Sequence, residues 1–389
     1  MSDFSRRGAT FRLLAALALY VSAVFPHARA YPAQEIRRSE TLAPGIEHLE
    51  IRRGDLTDDP ERDRWIIHVL LLDPRCSRLV LARAMDEVVG AETTSSLAAR
   101  HGALAAVNGG YFRTTGTYRG EPTGLLVMER KVLSEPLGRR TALAISNAGE
   151  RTRLASARFE VKAEVLVEGQ KTYPVSGFNR PREENELIVF TPEFHRTTLT
   201  GPDGLEAVIE EGRIVTVSDG AGSQPIPGRG YVLSADGAAR QWARDHLRAG
   251  IRIEIRSKIT ADPPLPFAAD FIVGGGPLLV TGGKAATAAE AEQFDPDFIQ
   301  KRHPRTAAGI RGDGIIVLVT VDGRQPKKSV GMTIQELAVL MTELGCVEAI
   351  NLDGGGSTAM AINGRVVNNP SDATGERPVS DALLVFPRK

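Results

Sequence analysis

Short apolar runs separated by turn-forming residues constrain the fold of this 389-residue chain more than any other sequence feature. Ile46–Ile51, Trp65–Leu72 and Arg78–Ala84 are rich in Ile, Val and Leu, and Asp, Pro and Gly separate them. Runs of this length and composition are typical of β-strands. From about residue 150 to 265, apolar and charged residues alternate, which favours antiparallel sheet with one buried face. The sequence therefore predicts an α+β fold with a mixed, mostly antiparallel β-sheet and few helices.

Apolar residues at helical spacing predict the few helices of this fold. The helical segments are Thr93–Ala99, Ala235–Arg248 and Ile334–Leu344. Gly102 is expected to end the first of them. The last begins with Thr333 as N-cap and Glu336 three residues later, which is the pattern of a capping box. Glu206–Val217 is predicted to be one strand, and Arg302–Gly309 is predicted to be part of a polar loop.

The first thirty residues carry the pattern of an export signal rather than of a fold. Arg6 and Arg7 make a basic start, Leu13–Phe25 is mostly apolar, and Ala28-Arg29-Ala30 fits the cleavage rule for signal peptides. The apolar run is shorter than the roughly 20 residues that a membrane span needs. We expect a signal peptide over residues 1–30, a periplasmic or secreted protein after cleavage near Ala30, and one catalytic domain over 31–389. A retained N-terminal anchor is the alternative.

Balanced charge excludes a general attraction to polyanions. Lys and Arg total 48, as do Asp and Glu, so no net field draws the chain to nucleic acid or anionic membrane. We expect no nucleic-acid partner and no stable membrane insertion. The sequence does not set the oligomeric state, and Cys76 and Cys346 allow either one disulfide or two unpaired thiols.

Polar chemistry is concentrated at glycine turns that follow apolar runs. Asn351-Leu352-Asp353-Gly354-Gly355-Gly356-Ser357 places a carboxylate, an amide and a hydroxyl around three glycines. Asn108-Gly109-Gly110 and Gly274-Gly275-Gly276 are turns of the same type. Such turns can aim N–H groups at phosphate or a developing oxyanion, although glycines also simply permit tight turns.

Charged residues near these turns suggest how a phosphorylated sugar could be bound and cleaved. Asp353 and Asp322 are the leading carboxylates for glycosyl cleavage, which uses carboxyl groups as acid, base or nucleophile. Arg305 and Arg324 are candidates for bidentate phosphate contact, because the guanidinium plane matches two phosphate oxygens.

Other chemistries lack their sequence patterns. Ser357 is not in the Gly-x-Ser-x-Gly pattern of a hydrolase nucleophile. Asp295 and Asp297 lack the spacing of a calcium loop, and neither a paired His or Cys motif nor a nucleotide-binding glycine motif is present. We therefore expect no metal and no cofactor.

Several motifs together resemble the phosphodiester glycosidase family. They are Val107–Phe112, Gly274–Leu278, Arg305–Gly309, Val321–Arg324 and Asn351–Ser357, with a weaker match at Glu376–Val379 and an apolar closing strand at Ala382–Phe386. The resemblance implies hydrolysis of a sugar-1-phosphodiester at the anomeric carbon. It implies an exported enzyme whose partner is a sugar-phosphate or phosphoglycan substrate.

The resemblance and the residue chemistry together give the expected site. The catalytic candidates are Asp353, supported by Asp322 and Asn351. The substrate-binding candidates are Asn108, Gly109, Gly110, Gly275, Gly276, Arg305, Thr306, Arg324, Gly354, Gly355, Ser357 and Arg377. Two alternatives remain open at this point: a non-catalytic envelope protein that binds phosphoglycan or exopolysaccharide, and a structural exopolysaccharide-associated domain with a degenerate site.

Overall fold

Four β-sheets form the framework of the described chain. The computed structural model describes residues 34–54, 64–168 and 171–388, so the predicted signal peptide lies outside the described residues. Strands and helices are numbered here in chain order. Sheet I contains, in spatial order, β1 (Gln34–Ala43), β2 (Ile46–Gly54), β3 (Arg64–Leu72), β21 (Ile316–Val321), β20 (Arg305–Arg311), β22 (Cys346–Asn351), β18 (Leu278–Thr281) and β19 (Lys284–Ala285).

The other three sheets are smaller. Sheet II contains β10 (Lys171–Pro174), β9 (Arg153–Val167), β8 (Thr141–Ser146), β17 (Phe271–Gly274), β6 (Leu126–Met128) and β7 (Lys131–Ser134), and β16 (Ile253–Asp262) also pairs with β9. Sheet III contains β11 (Gly177–Phe178), β12 (Leu187–Phe190), β15 (Gly230–Ala235), β13 (Leu205–Glu210) and β14 (Arg213–Asp219). Sheet IV contains β24 (Arg365–Val366), β23 (Met360–Ile362), β5 (Ala105–Asn108), β25 (Asp381–Pro387) and β4 (Ser77–Arg83).

Helices are few in the described residues. They are α1 (Thr94–His101), α2 (Gly237–His246), α3 (Pro296–Gln300) and α4 (Ile334–Glu343), with 3₁₀ turns at Ala84–Asp86 and Gly355–Ser357. The capping box of α4 forms as predicted, because the Thr333 side chain accepts from the Glu336 N–H and the Glu336 side chain accepts from the Thr333 N–H. Among the described strand pairs only β11 and β12 run parallel. The predicted α+β class with a mixed, mostly antiparallel sheet is confirmed.

Two local predictions were wrong. Glu206–Val217 forms β13 and β14 of a hairpin, because the chain reverses at Glu211 and Gly212, which both have positive φ. The predicted loop Arg302–Gly309 instead contributes β20, which lies between β21 and β22 in sheet I. Arg305 and Thr306 hid this strand from the pattern, because both are polar yet buried.

One hydrophobic core joins the four sheets. It contains Leu70 and Ile350 of sheet I, Val273 of sheet II, Phe190 of sheet III and Leu383 of sheet IV, each almost fully buried. A second core packs α4 on the other face of sheet I, a third lies between sheets II and III with α2, and a fourth packs α1 on sheet IV. Burial on both faces explains why these strands are nearly continuous apolar runs.

This packing brings together the three glycine turns, which follow strands of three different sheets. β5 of sheet IV leads into the Gly109 turn, β17 of sheet II into the Gly276 turn, and β22 of sheet I into the Asp353 turn. The Asp353 N–H donates to the Gly109 carbonyl at 3.0 Å, and the Gly276 N–H donates to the Asn351 carbonyl at 2.8 Å. The turns therefore meet at one place.

The structure also bears on the cysteines and on membrane insertion. Cys76 is half-buried and Cys346 is buried, and neither forms a disulfide. The two unpaired thiols are thus the alternative that the structure shows. Among residues 34–54, 64–168 and 171–388, no helix has the length and apolar character to cross a membrane.

Candidate active site

Asp353 lies where β22 ends and the glycine turn begins. The turn is a short 3₁₀ segment over Gly355–Ser357, and Gly355 has a φ of +60°. The Asp353 side chain is half-buried and accepts a hydrogen bond from the Gly354 N–H at 2.9 Å. The positive φ gives a reason for glycine at position 355, because larger residues rarely adopt it.

The surroundings of Asp353 favour its protonated form. Desolvation by the surrounding protein raises the pKa of Asp353 to about 6, and the negative charge of Asp381 acts in the same direction. Ser357, the Gly354 N–H and Arg377 act against this rise. The Ser357 hydroxyl is close enough to lower the pKa of Asp353, yet it is buried and has no partner in hydrogen-bonding geometry among the described residues.

Asp381, at the start of β25, is a buried carboxylate that the sequence reasoning missed. Its Oδ1 accepts from the Gly110 N–H at 2.8 Å, and its Oδ2 accepts from the Ser380 hydroxyl at 2.6 Å. Burial raises the pKa of Asp381. A Cβ atom at Gly109 would stand 2.0 Å from Asp381 Oδ1, so glycine is needed there for close approach. The only sequence signal was an acidic residue opening an otherwise apolar strand.

Asn108, just before the Gly109 turn, ties the Asp353 turn to β20. Its side-chain N–H donates to the Asp353 carbonyl at 2.7 Å, and its Oδ1 accepts from the Thr306 hydroxyl at 2.7 Å and from the Ala359 N–H at 3.1 Å. Asn108 and Thr306 are both fully buried. Their polar atoms therefore fix the position of Asp353 through its backbone.

Asn351 and Tyr111 form a second polar pair under the turns. The Asn351 amide donates to the Tyr111 hydroxyl at 2.7 Å and to the Gly276 carbonyl at 2.9 Å, and the Tyr111 hydroxyl donates to that same carbonyl at 2.8 Å. Asn351 Oδ1 is buried without a partner among the described residues. Burial first, and the charge of Asp353 second, raise the pKa of Tyr111. Tyr111 lies inside a motif noted from the sequence but was given no role.

Several predicted glycine donors already have protein acceptors. The Gly110 N–H donates to Asp381, the Gly275 N–H to the Thr141 carbonyl at 3.1 Å, and the Gly276 N–H to the Asn351 carbonyl. In this structure these N–H groups hold the turns together. Their contact with a phosphate stays a prediction and would have to replace the bonds described here.

Arg305 is buried in β20 and its guanidinium is directed to backbone carbonyls. Nε donates to Met332 at 2.8 Å, and Nη2 donates to Phe298 at 2.7 Å and to Lys301 at 3.1 Å. Burial lowers the pKa of Arg305 to about 10. These bonds indicate a structural role, and the expected phosphate contact of Arg305 stays a prediction.

Two other arginines lie against the glycine turn that carries Asp353. Cβ atoms built at Gly355 and Gly356 would stand 3.1 Å from Arg324 Nη2 and 2.1 Å from Arg377 Nη2. Arg324 is exposed and contacts the His303 Nδ1 at 3.3 Å, and it has no carboxylate partner among the described residues. Arg377 is half-buried and donates from Nε to Asp372 at 2.7 Å. The glycines thus leave room for two guanidinium groups beside Asp353.

Asp322 lies away from this group. Its carboxylate accepts from the side-chain amides of Asn368 at 3.0 Å and Asn369 at 2.7 Å, and from the Asn369 N–H at 3.0 Å. Burial raises the pKa of Asp322. It anchors the loop after β24, and Asn368 in turn donates to the Thr358 carbonyl at 3.2 Å. A supporting role of Asp322 in catalysis stays a prediction. In such a role Asp322 would act by holding this loop in place.

The site thus combines Asp353 on the glycine turn with Arg324 and Arg377, and two further carboxylates, Asp381 and Asp372, lie close by. No group of three or more His, Cys, Asp or Glu side chains suited to a metal ion occurs within residues 34–54, 64–168 and 171–388. The charged groups around Asp353 are carboxylates and guanidinium groups. The guanidinium groups suit an anionic substrate.

Comparison with known proteins shows which family part of the chain resembles. Residues 203–386 match the family of phosphodiester glycosidases, which confirms the resemblance found in the sequence. The matched segment contains Arg305, Arg324, Asp353 and Arg377. Residues 203–386 are therefore similar to phosphodiester glycosidase domains.

Individual relatives match over shorter segments. An uncharacterized prophage-derived protein of Bacillus subtilis is 41% identical over 110 residues, which are 28% of this chain and 16% of that protein. The N-acetylglucosamine-1-phosphodiester alpha-N-acetylglucosaminidase of Bos taurus is 32% identical over 104 residues, 26% of this chain and 19% of that enzyme. The matched segments are thus small parts of both relatives.

A solved structure matches over most of its length. A Burkholderia pseudomallei protein that is described as exported has a TM-score of 0.79 and 25% sequence identity, with 91% of this chain and 97% of that chain covered. The four-sheet architecture is therefore shared nearly end to end with that protein.

Proposed function

We propose that the protein is an exported hydrolase that cleaves the glycosyl–phosphate bond of a sugar-1-phosphodiester. The observation that carries the proposal is the placement of Asp353, a carboxylate of raised pKa, on a glycine turn that Arg324 and Arg377 contact. The family match supports the reaction class, and the exported relative supports the location.

The phosphodiester would lie against the two arginines. Arg324 has free donors, and the guanidinium plane matches two phosphate oxygens. Arg377 adds a second cation, whose position Asp372 fixes. Bare backbone at Gly355 and Gly356 lets both guanidinium groups lie close to the turn. In this arrangement the sugar's anomeric carbon comes to face Asp353.

Asp353 would assist the departure of the phosphate. At pH 7 a carboxyl with a pKa of about 6 is mostly ionised, so it can take a proton from water or attack the anomeric carbon itself. The bond between the anomeric carbon and the bridging oxygen breaks, and its electron pair leaves with the phosphomonoester. Water supplies the hydroxyl to the sugar. Because a phosphomonoester anion is a good leaving group, one carboxylate suffices.

The surrounding residues would hold Asp353 in place. Asn108 binds its carbonyl, and the Gly109 carbonyl accepts from its N–H. Asn351 fixes the end of β22 against Tyr111 and Gly276. Burial raises the pKa of Asp353, and the charge of Asp381, which accepts from the Gly110 N–H, adds to this rise.

The direct test is incubation of the mature protein with a UDP-sugar and with a methyl glycosyl phosphate. Release of free sugar and phosphomonoester, seen by ³¹P NMR, is the expected result. Tight binding in calorimetry with full recovery of intact phosphodiester after long incubation would overturn the proposal in favour of a phosphoglycan-binding protein. If the protein neither binds nor cleaves these compounds, both the hydrolase proposal and the phosphoglycan-binding alternative are overturned.

A further inference from the structure

A second arginine site lies beside the Gly276 turn. The Arg140 guanidinium carbon lies 4.2 Å from the ring centroid of Phe294 and 5.7 Å from that of Tyr111. Phe294 stacks on Phe298 at 5.1 Å, and the Arg305 guanidinium carbon lies 4.6 Å over Phe298. Arg140, Phe294, Phe298 and Arg305 thus form a stack with a cation at each end.

The two cations of this stack differ in what they contact. Arg305 is buried and its N–H groups donate to backbone carbonyls. Arg140 is half-buried, and within the described part of the chain its guanidinium has neither a carboxylate partner nor a hydrogen-bond acceptor. An aromatic face can hold a cation in place while its N–H donors stay free. The stack therefore presents Arg140 with unused donors.

Tyr111 links this cation to the candidate active site. Its ring contacts Arg140, and its hydroxyl accepts from Asn351, two residues before Asp353. Arg140 also lines a small crevice with Gly124, Gly274 and Gly275. Arg324 and Arg377 lie instead on the Gly355 turn. The cations are therefore divided between two of the turns that meet at the site.

We propose that Arg140 binds a second anionic group of the substrate, a carboxylate or a further phosphate, carried by the sugar or by the group beyond the phosphodiester. This inference rests on the proposed function. Arg324 and Arg377 are enough for one phosphodiester, so an additional cation with free donors at a separate turn selects substrates that carry more than one negative charge. Guanidinium fits either carboxylate or phosphate in a bidentate manner.

Matched substrate pairs test the proposal with the full mature chain. UDP-glucuronic acid and UDP-glucose differ by a carboxylate on the sugar, and P²-methyl α-glucosyl diphosphate and methyl α-glucosyl phosphate differ by one phosphate beyond the diester. Arg140→Ala should lower kcat/KM about 10- to 100-fold for the more anionic member of one pair and change the less anionic member by less than about 2-fold. The pair that responds identifies the source of the anion.

Arg139→Ala is the matched control, because Arg139 is an exposed neighbour of Arg140. It should leave both members of each pair unchanged. Equal loss on both members with Arg140→Ala, or no loss on either, overturns the inference. Calorimetry of the same pairs with Asp353→Asn as the parent separates the two proposals. If wild type cleaves nothing but Arg140→Ala still weakens binding of the anionic member alone, the hydrolase proposal fails and the Arg140 subsite stands.

Discussion

Gly109→Ala tests the close packing of the Gly109 turn on Asp381. The added Cβ would lie 2.0 Å from Asp381 Oδ1 and 3.2 Å from its Cγ. Asp381 is 1% exposed, and its two oxygens already accept from Gly110 and Ser380. The carboxylate therefore cannot move away without breaking these hydrogen bonds.

The expected cost follows from these contacts. Forcing one extra methyl group into a packed interior costs about 1–3 kcal/mol. Loosening hydrogen bonds to a buried charged group adds about 1–3 kcal/mol. We expect Gly109→Ala to lower the free energy of unfolding by roughly 2–6 kcal/mol. Gly109 also accepts from the Asp353 N–H, so hydrolysis should fall at temperatures where the variant is still folded.

Urea unfolding followed by circular dichroism measures the effect. Gly228→Ala is the matched control, because a Cβ there meets nothing within 4 Å and its φ is not in the left-handed region. It should change the free energy of unfolding by less than about 1 kcal/mol. Adding Asp381→Ala to Gly109→Ala should recover part of the loss, as a double-mutant cycle would detect. Equal stability of the two glycine variants would refute the reasoning.

Two further predictions concern Asp353 and Arg324. The folded pKa of about 6 for Asp353 exceeds its ordinary value of 3.8, so the stability that its protonation contributes is full below pH 3.8 and is lost as pH rises through 6. The difference in free energy of unfolding, Asp353→Asn minus wild type, should therefore rise between pH 4 and 7 by at most about 3 kcal/mol. Urea melts at several pH values measure this difference. A difference that does not change with pH would contradict the raised pKa of Asp353. Arg324→Ala should raise KM for a sugar phosphodiester about 10-fold or more, because a charge-assisted contact with phosphate is lost, whereas the exposed Arg151→Ala should not. An unchanged KM in steady-state assays would remove Arg324 from phosphate binding.

Local sequence signals predicted much of the fold. Thr333 and Glu336 marked the start of α4, because both sides of a capping box lie within one turn. Gly102 marked the end of α1, where the structure has a left-handed residue. Such features depend on residues a few positions apart, and strands are recognised from short apolar runs or from apolar residues at every second position. These are the interactions that a sequence shows directly.

Features that depend on distant residues were not predictable in the same way. β20 was missed because Arg305 and Thr306 are polar, and their burial is made possible by Met332 and Asn108, which lie far away in sequence. The turn at Glu211 and Gly212 was missed because Glu at positive φ is uncommon. Contacts between residues distant in sequence, and not local propensity, determined the β20 strand and the β13–β14 turn.

The candidate site shows the same division. Asp353 was found because its carboxylate stands beside three glycines in the sequence. Asp381 was missed, because its place in the site depends on contact with the Gly109 turn, which is distant in sequence and whose glycines leave room for the carboxylate. Arg305 looked like an exposed phosphate ligand, and only the strand pairing reveals that backbone carbonyls occupy its donors. Residue types give the chemistry, and packing decides which atoms remain free.

The rate of sugar release by Asp353→Asn tests the central claim most directly. The asparagine keeps the shape of the side chain and removes its ability to take a proton or attack carbon. We predict a loss of about 10²-fold or more in kcat with no fall in Tm, whereas Asp245→Asn, at an exposed position on α2, keeps full activity. Sugar release by Asp353→Asn at the wild-type rate would contradict the account.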